Sequence, residues 1–336
     1  MEAGGGRGVR PLLEVDGLRV TVPGPRGPVS VVDGVSFQVG ERQVFGVAGE
    51  SGSGKTISML ALLGLLPEGS EVEGSARFGD NDLIGMPRRR LEDISGRDIG
   101  MVFQDPFTSL HPMMTIERQL TEHVVRHLGL SRGDARRRAA GLLAQVRIPD
   151  PEGALGAYPH QFSGGMRQRI AIAIALACEP RLLVADEPTT ALDVTVQAGI
   201  LRLLDRLRRT EGLSVILITH DLGVMSSLAD EVTVMYAGRV VESGPASEVL
   251  SRPRHPYTRG LLDSLPHPEA VEGEPLKPIA GTPASPQSRP AGCAFHPRCG
   301  YAVESCHVEV PALLSPLPGR RLACPVDPLR PVEASA

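Results

Sequence analysis

The sequence predicts an α/β fold with a largely parallel sheet, and three features of the chain support this prediction. Short apolar segments typical of buried strands recur along the chain. Stretches with helical periodicity separate most of them, which is the alternation expected of an α/β core. A glycine-rich turn joins a strand predicted at 44–47 to a helix predicted over 55–66. We therefore expect functional side chains at the carboxyl ends of the strands.

The remaining elements are predicted from their own patterns. Alternating apolar and polar residues at 12–22 and 31–39 indicate two early strands. Further buried strands are predicted at 99–103, 182–185, 215–219 and 231–236, and helices at 170–178 and 194–209. Residues 105–180 contain helical patches broken by prolines such as Pro151, which indicates an inserted helical subdomain. Cys178, in an apolar helix, is interpreted as a core thiol.

Composition limits the classes of protein to be considered. With 336 residues, 41% of them hydrophobic, the chain can bury a full core. A net charge of -4 gives no support to broad electrostatic binding of nucleic acid. The longest apolar run, 170–178, is far shorter than the roughly 20 residues that span a bilayer, and the first residues lack the apolar core of a signal peptide. We expect a cytoplasmic protein that can still dock on a membrane protein.

The amino-acid composition of the chain changes toward its C-terminus. From residue 265 onward the sequence holds 14 of the 30 prolines and four of the five cysteines. A segment so poor in regular structure either stays disordered or needs a cross-link or metal to hold it. We therefore predict one large domain over 10–255 and a cysteine-rich extension over 256–336.

The glycine-rich turn after the strand at 44–47 matches the phosphate-loop pattern G-x-x-x-x-G-K-[ST]. Its glycines let the backbone curl so that N–H groups and the helix start face phosphate oxygens. Lys55 can reach the β and γ phosphates, and Thr56 can ligate magnesium. The predicted nucleotide-binding residues of this loop are Gly49, Ser51, Gly52, Ser53, Gly54, Lys55 and Thr56.

Polar residues follow three other predicted strands. Asp186 and Glu187 end the strand at 182–185, where Asp186 can hold magnesium through water and Glu187 can act as the general base for an attacking water. Taken alone, consecutive acids would fit a solvated strand end. Gln104 follows the strand at 99–103 and His220 follows the strand at 215–219, however, so we expect all four side chains to converge on the phosphate loop.

A Ser-Gly-Gly turn at 163–165 opens the helical stretch before this acidic strand end. Ser163 offers a hydroxyl, and Gly164 and Gly165 leave the backbone amides unhindered at the positive end of a helix. Such a turn can bind an anion, although it also fits a simple helix cap.

In their order along the chain, these motifs resemble those of the ABC transporter ATPases over roughly residues 10–250. The resemblance implies a RecA-like core with an antiparallel β subdomain and a helical subdomain, and ATP with Mg²⁺ as ligands. It makes Gln104 a magnesium ligand linked to the transport subunits, and His220 a contact of the γ phosphate. It places Asp193 at a dimer interface. In this family the turn at 163–165 would serve ATP held by the partner subunit.

One feature of the family is missing. Many members stack the adenine on an aromatic side chain ahead of the second strand, yet residues 21–32 contain none. Arg26 lies near that place, and a guanidinium can stack on a ring.

Two segments near the C-terminus indicate which subgroup of this family the chain resembles. The sequence His-Pro-Tyr-Thr at 255–258 and the segment 292–299 resemble elements of ATPases from peptide and nickel importers. Four cysteines are candidate metal ligands: Cys293, Cys299, Cys306 and Cys324. In a reducing cytosol these thiols fit a metal site better than disulfides. Thiolates suit zinc and an iron–sulfur cluster equally, and the resemblance favours a [4Fe-4S] cluster with zinc as the alternative.

The resemblance implies the ATP-hydrolysing subunit of a bacterial importer of dipeptides or oligopeptides, with nickel as an alternative cargo. Such a subunit lies on the cytoplasmic face of the membrane and binds two transmembrane permease subunits. A second ATPase subunit, usually a different chain, and an extracytoplasmic substrate-binding protein complete the system. The permease would press on the helical insert near Pro106 and Phe107.

Two other classes of function remain as alternatives. Some ABC-type ATPases act on ribosomes or DNA, but these usually carry two fused ATPase units, long coiled coils or other zinc insertions, none of which is evident in this sequence. A nucleotide-sensing regulator without turnover is the third possibility, and Glu187 and His220 argue against it.

Overall fold

The computed structural model describes residues 10–105, 109–190, 192–265 and 278–326, and within them two sheets organise the protein. The strands of the described residues are β1 (Leu13–Val22), β2 (Val29–Val39), β3 (Val44–Ala48), β4 (Glu71–Phe78), β5 (Asn81–Asp82), β6 (Ile99–Val102), β7 (Leu182–Asp186), β8 (Ser214–Thr219), β9 (Glu231–Tyr236), β10 (Arg239–Pro245), β11 (Leu314–Leu317) and β12 (Arg320–Leu322).

Helices cover these sheets and form a separate group between β6 and β7. The described α-helices are α1 (Lys55–Leu62), α2 (Arg88–Ile94), α3 (Ile116–Leu128), α4 (Arg132–Gln145), α5 (Pro151–Leu155), α6 (Gly164–Ala175), α7 (Val194–Glu211), α8 (Leu222–Leu228), α9 (Ala246–Ser251), α10 (Pro256–Asp263) and α11 (Ser305–Val308).

The larger sheet has eight strands in the order β11-β12-β10-β9-β3-β8-β7-β6. Its half from β9 to β6 is parallel, as the sequence predicts. β3, β7 and β8 are buried at every residue, because helices cover one face and α1 with the smaller sheet covers the other. The other half is antiparallel. The prediction of a largely parallel sheet is therefore correct only for the nucleotide-binding half, since β10 returns beside β9 and the C-terminal hairpin extends the edge.

The smaller sheet is antiparallel, with the order β2-β1-β4-β5. Apolar side chains on one of its faces pack with α1 and with the strands β3, β7 and β8 in a common core. Phe37 on β2 stacks on Phe45 of β3, with ring centroids 5.1 Å apart. This packing fixes the smaller sheet beside the start of the phosphate loop.

The helical subdomain is formed by α3, α4, α5 and α6 around a core that includes Ile116, Leu120 and Leu143. Side-chain caps begin its helices, as at Ser131, whose hydroxyl accepts a hydrogen bond from the N–H of Asp134. Pro151 lies at an interruption between helical patches, as the sequence predicts, since α4 ends at Gln145 and α5 begins at Pro151. It opens α5, because the first turn of a helix has no partner for the N–H that proline lacks.

Two helix boundaries differ from the prediction. α1 ends at Leu62 rather than near residue 66, and Gly64 follows with φ of 66°, a conformation that ends helices readily. The helix predicted over 170–178 runs from Gly164 to Ala175 instead. Cys178 thus lies beyond the helix, although it is buried as a core thiol and its Sγ donates to the carbonyl of His123 at 3.7 Å.

The described part of the C-terminal segment packs against the larger sheet despite its few regular elements. Phe295 lies in a core cluster with Tyr236 of β9 and Tyr257 of α10. None of the helices in the described ranges is long and apolar enough to cross a bilayer.

Candidate nucleotide-binding and hydrolytic site

The phosphate loop leaves β3 and enters α1 through backbone conformations that require glycine. Gly49 has φ of 146°, and a Cβ there would lie 2.3 Å from the carbonyl oxygen of Met235 on the neighbouring strand. Gly54, with φ of 100°, begins α1 without a side-chain cap. The N–H groups at this helix start are therefore free of a capping side chain and suited to bind an anion.

Lys55 is buried within the loop, with 5% of its surface exposed. Its Nζ donates to the carbonyl oxygens of Gly49 at 2.7 Å and Glu50 at 2.9 Å. Burial lowers the pKa of Lys55, and the nearby carboxylates of Glu187, Asp186 and Glu50 oppose this shift. A desolvated ammonium at the base of the loop is well placed to bind the phosphates of a nucleotide.

Asp186 ends β7 beside α1 and is almost fully buried, with 2% of its surface exposed. Burial raises the pKa of Asp186, while a hydrogen bond with the Thr56 side chain and the charge of Lys55 lower it. Its Oδ1 has no hydrogen-bond partner among the described residues. A buried, unsatisfied carboxylate oxygen next to a threonine hydroxyl fits a magnesium ion that binds through oxygen ligands and water.

Glu187 is the centre of a second group of side chains. Gln104 Nε2 and Thr190 Oγ1 both donate to its Oε2 at 2.9 Å. His220 Nδ1 lies 3.3 Å from Oε1. The carboxylate is only 12% exposed, whereas the histidine side chain is 59% exposed. The structure thus brings Glu187, Gln104 and His220 together at the ends of three strands, as the sequence predicts.

Thr190 was missed by the sequence analysis. It stands three residues after Glu187 in the segment Glu-Pro-Thr-Thr, a spacing at which a hydroxyl readily bonds back within a turn. The predicted magnesium contact of Gln104 stays a prediction. Its Nε2 donates to Glu187, so its amide oxygen is the atom that could bind the ion.

The backbone of Glu187 has φ of 45°, in the left-handed region that disfavours a residue with a Cβ. Its N–H donates to the carbonyl of Ile218 on β8 at 2.9 Å. The adjacent strand therefore fixes this conformation, which turns the carboxylate toward Gln104 and His220.

The Ser-Gly-Gly turn lies at the start of α6. The Ser163 hydroxyl caps the helix by accepting from the N–H of Met166 at 3.4 Å. A Cβ on Gly165 would lie 2.5 Å from Val196, so the turn packs closely on the first turn of α7, where Asp193 is the cap. Within the described residues, no hydrogen bond or ion pair joins this turn to the phosphate loop of the same chain.

Comparison with known proteins identifies the family. The sequence profile of the ABC transporter family matches residues 32–190, and that of the oligopeptide/dipeptide transporter C-terminal region matches residues 241–306. The oligopeptide transport ATP-binding protein OppD of Salmonella typhimurium is 45% identical, over 96% of this chain and 94% of that protein. This chain belongs to the ABC transporter ATPase family. The dipeptide transport ATP-binding protein DppD of Escherichia coli is 44% identical to this ATPase, over 94% of its chain and 97% of DppD.

Solved structures show the same fold. The dimeric ATP-binding cassette MJ0796, in a post-hydrolysis state bound to ADP and phosphate, matches this ABC ATPase with a TM-score of 0.63 and 25% identity. The match covers 70% of this chain and 98% of MJ0796. CbiO1 from Clostridium perfringens matches with a TM-score of 0.61 and 27% identity, over 72% of this chain and 91% of CbiO1. The ABC cassette fold and its ATP-hydrolysing activity are thereby confirmed for this chain.

The start of β2 in this ABC ATPase lies beside the phosphate loop. A Cβ on Gly54 would lie 3.0 Å from the carbonyl oxygen of Val31. Arg26, the sequence-based candidate for stacking on adenine, is exposed. Arg289, a residue of the C-terminal segment, also reaches this place, where its Nη2 donates to the carbonyl of Ser30 at 3.2 Å.

The four C-terminal cysteines of the ABC ATPase are free thiols that lie near one another. Burial raises the pKa of Cys324 to about 12, and the thiols of Cys293, Cys299 and Cys306 add to the increase. The Cys293 N–H donates to the carbonyl of Cys306 at 2.9 Å. Across the described ranges, however, no three or more His, Cys, Asp or Glu side chains are arranged to hold a metal ion, so the predicted metal site has no support from side-chain geometry.

Proposed function

We propose that this ABC ATPase drives the import of dipeptides or oligopeptides across a bacterial cytoplasmic membrane. The single observation that carries the proposal is the similarity to peptide-transport ATP-binding proteins over nearly the whole chain, including their C-terminal region. The ATP-binding cassette alone would support many cargoes, since its fold does not determine what is carried. The C-terminal region is the part that favours peptides.

The hydrolytic step follows from the two groups of side chains around the phosphate loop. We propose that the loop N–H groups and Lys55 bind the phosphates, while Thr56 and Asp186 hold magnesium, which neutralises charge on the phosphate oxygens. Glu187 accepts a proton from water as the water oxygen attacks the γ phosphorus and ADP leaves. Gln104 and Thr190 orient its carboxylate.

His220 is proposed to contact the γ phosphate from the opposite side of this carboxylate. Its side chain lies 3.3 Å from Glu187 and is 59% exposed, so it can reach a ligand bound in the open face of the site. This role needs only the imidazole N–H as a donor to a phosphate oxygen.

We propose that the complete site forms between two ATPase subunits, most often two different chains in this group. Ser163, Gly164 and Gly165 would bind the ATP of the partner subunit, with Asp193 at the interface. An exposed apolar side chain next to Asp193 supports this assignment, since Val194 is 81% exposed. MJ0796, which shares the fold, is described as dimeric.

The partners proposed in the membrane are two permease subunits, supplied with cargo by an extracytoplasmic binding protein. A cavity of about 630 Å³ lies between α2, α3 and α6 and is lined mainly by apolar groups, among them Leu65 and Phe103. Phe103 is 42% exposed and directly precedes Gln104. We propose that a permease segment docks in this cavity, which would link cargo to hydrolysis and keep the ATPase at the cytoplasmic face. Pro106 and Phe107, the predicted contacts, lie outside the described residues.

The domain organisation remains a proposal with the boundaries 10–255 and 256–336, and with the helical subdomain at 105–180. Support comes from the cluster around Tyr257 and Phe295, in which the C-terminal segment packs on the nucleotide-binding domain.

For the cysteines we propose a [4Fe-4S] cluster, with zinc as the alternative. The support is the donor set itself, four thiols gathered in one partly buried segment. The test is the absorbance spectrum of anaerobically purified protein together with iron and sulfide assays. A colourless protein loaded with zinc, or one free of metal, would contradict the cluster.

Transport itself is tested by reconstituting the ATPase with its permeases in vesicles. We expect a binding protein loaded with dipeptide or oligopeptide to stimulate ATP hydrolysis and uptake, and a nickel-loaded system to do neither. Stimulation by nickel alone would transfer the assignment to the nickel importers. Co-purification with ribosomes or DNA instead of permeases would reject an importer.

A further inference from the structure

Glu50, the second residue of the phosphate loop, is held by two side chains from the C-terminal part of the chain. Its backbone N–H donates to the hydroxyl oxygen of Tyr257, 207 positions later, at 2.8 Å. Its carboxylate pairs with Arg298 through two bonds, Nη1 to Oε2 at 2.7 Å and Nη2 to Oε1 at 3.1 Å. A two-point bond between a guanidinium and a carboxylate fixes direction as well as distance.

Arg298 is itself firmly held. Its side chain is only 4% exposed, and it donates to the carbonyls of Ala280 at 2.9 Å and Ile279 at 3.2 Å. The guanidinium lies 5.9 Å from the ring centroids of both Tyr236 and Phe295. Because these contacts hold Arg298 in the C-terminal segment, we expect the arginine to fix the position of the loop rather than move with it.

Tyr257 is fully buried on α10. Its ring meets Tyr236 edge-on with centroids 4.6 Å apart and Phe295 at 5.3 Å. Burial raises the pKa of its hydroxyl, which stays protonated at any physiological pH. The oxygen that accepts from Glu50 is thus a neutral group at a fixed point.

The other polar groups of Glu50 point into the nucleotide site. Its carbonyl oxygen accepts from Lys55 Nζ at 2.9 Å and from the N–H of Ser53 at 3.2 Å. One side of this residue is consequently attached to the C-terminal segment, and the other side shapes the groups that bind phosphate. A binding loop fixed before its ligand arrives loses less conformational entropy on binding.

We propose that Arg298 and Tyr257 are positioning residues of the ATP site, which hold the phosphate loop through Glu50 in the conformation that binds MgATP. The inference rests on the proposed function, in that the loop is taken to bind ATP. It assigns the C-terminal segment a part in nucleotide affinity, beyond any part in cargo choice or metal binding.

The test measures the Kd of MgATP by calorimetry, and the KM and kcat of hydrolysis, on the full chain in its transporter complex. For Arg298→Ala we expect Kd and KM to rise about 10-fold, because the loop loses its anchor and the partly buried Glu50 carboxylate loses its partner. We expect Tyr257→Phe to raise both by about 3-fold through the lost hydrogen bond. The kcat should stay within about twofold of the parent, since the Glu187 group is untouched.

A double-mutant cycle separates positioning from general loss of structure. If Glu50 and Arg298 act as a pair, Glu50→Gln combined with Arg298→Gln should weaken MgATP no more than the worse single change. Arg298→Lys, which keeps the charge but not the two-point bond, should recover part of the affinity. Arg259→Ala is the matched control, because Arg259 is an exposed arginine on α10.

Two results would overturn the inference: a Kd unchanged within about twofold in folded Arg298→Ala, or additive effects in the cycle. If Arg298→Ala does not fold, the Kd of MgATP is measured for Tyr257→Phe, Glu50→Gln and Arg298→Lys instead. Values within about twofold of the parent in all three would overturn the inference. Failure of the parent protein itself to bind MgATP would count against the proposed function instead.

Discussion

The hydrolytic group around Glu187 and the C-terminal segment from residue 278 to 326 are positioned in different ways. Glu187, Gln104 and His220 follow three adjacent parallel strands, so the sheet alone brings them together. The C-terminal segment has little regular structure, and buried aromatic rings and ion pairs such as Arg298–Glu50 hold it on the domain. We infer that the proposed hydrolytic step depends on the strand ends of the sheet, whereas the proposed role of the C-terminal segment lies in nucleotide affinity.

Among the variants of these two regions, Glu187→Gln should have the largest effect. We expect hydrolysis to fall about 1000-fold, since the amide cannot accept the proton of the attacking water. ATP binding should persist and hold the two subunits closed, as measured by calorimetry and by size in the presence of ATP. Glu248→Gln, an exposed change on α9, is the control. Turnover at the parent rate in Glu187→Gln would remove the proposed base.

The pH dependence of stability tests how the C-terminal segment is held, because Phe295 of that segment packs on the ring of His255 with centroids 6.0 Å apart. Burial lowers the pKa of His255 to about 3, and its Nδ1 accepts from the N–H of Tyr257 at 3.0 Å. Between pH 6.5 and 3 the unfolded chain binds a proton that the folded chain does not, so stability is lost as pH falls through this range. From pH 6.5 to 5 this loss is about 2 kcal/mol.

His255→Asn should remove that part of the pH dependence and retain the helix cap, since asparagine caps helices well. Urea unfolding at pH 7 and pH 5 measures the change in the free energy of unfolding. A pH slope equal to that of the parent protein would show that His255 is not buried in its neutral form.

A smaller effect is expected for Thr190, whose hydroxyl donates to the Glu187 carboxylate from within the same turn. Thr190→Val keeps the shape and removes one hydrogen bond to the carboxylate, so kcat should fall about 5-fold with little change in KM. Thr210→Val, at an exposed position of α7, serves as the comparison. An equal kcat in the two variants would mean that Gln104 alone orients the base.

Periodicity and motif spacing predict the parallel half of the sheet, the phosphate loop and the strand ends that carry Glu187 and His220. These features are local, because a buried strand followed by a polar residue determines where that residue lies. The same patterns cannot predict that β12 pairs with β10 or that Arg298 reaches Glu50, since such pairings depend on the path of a chain without periodicity. Thr190 is an intermediate case: its contact with Glu187 is local, but a threonine three residues after an acid is too common a pattern to predict that contact by itself.

The left-handed backbone of Glu187 has a consequence for the thermal stability of the whole ATPase. At φ of 45° any side chain with a Cβ is strained, and glycine is not. Both Glu187→Gly and Glu187→Ala lack the carboxylate. The free energy of unfolding should nevertheless be about 1 kcal/mol higher for Glu187→Gly, which should therefore unfold at a higher temperature. Position 187 therefore carries a residue that lowers the stability of the fold, and its proposed role as the base in hydrolysis accounts for its presence there.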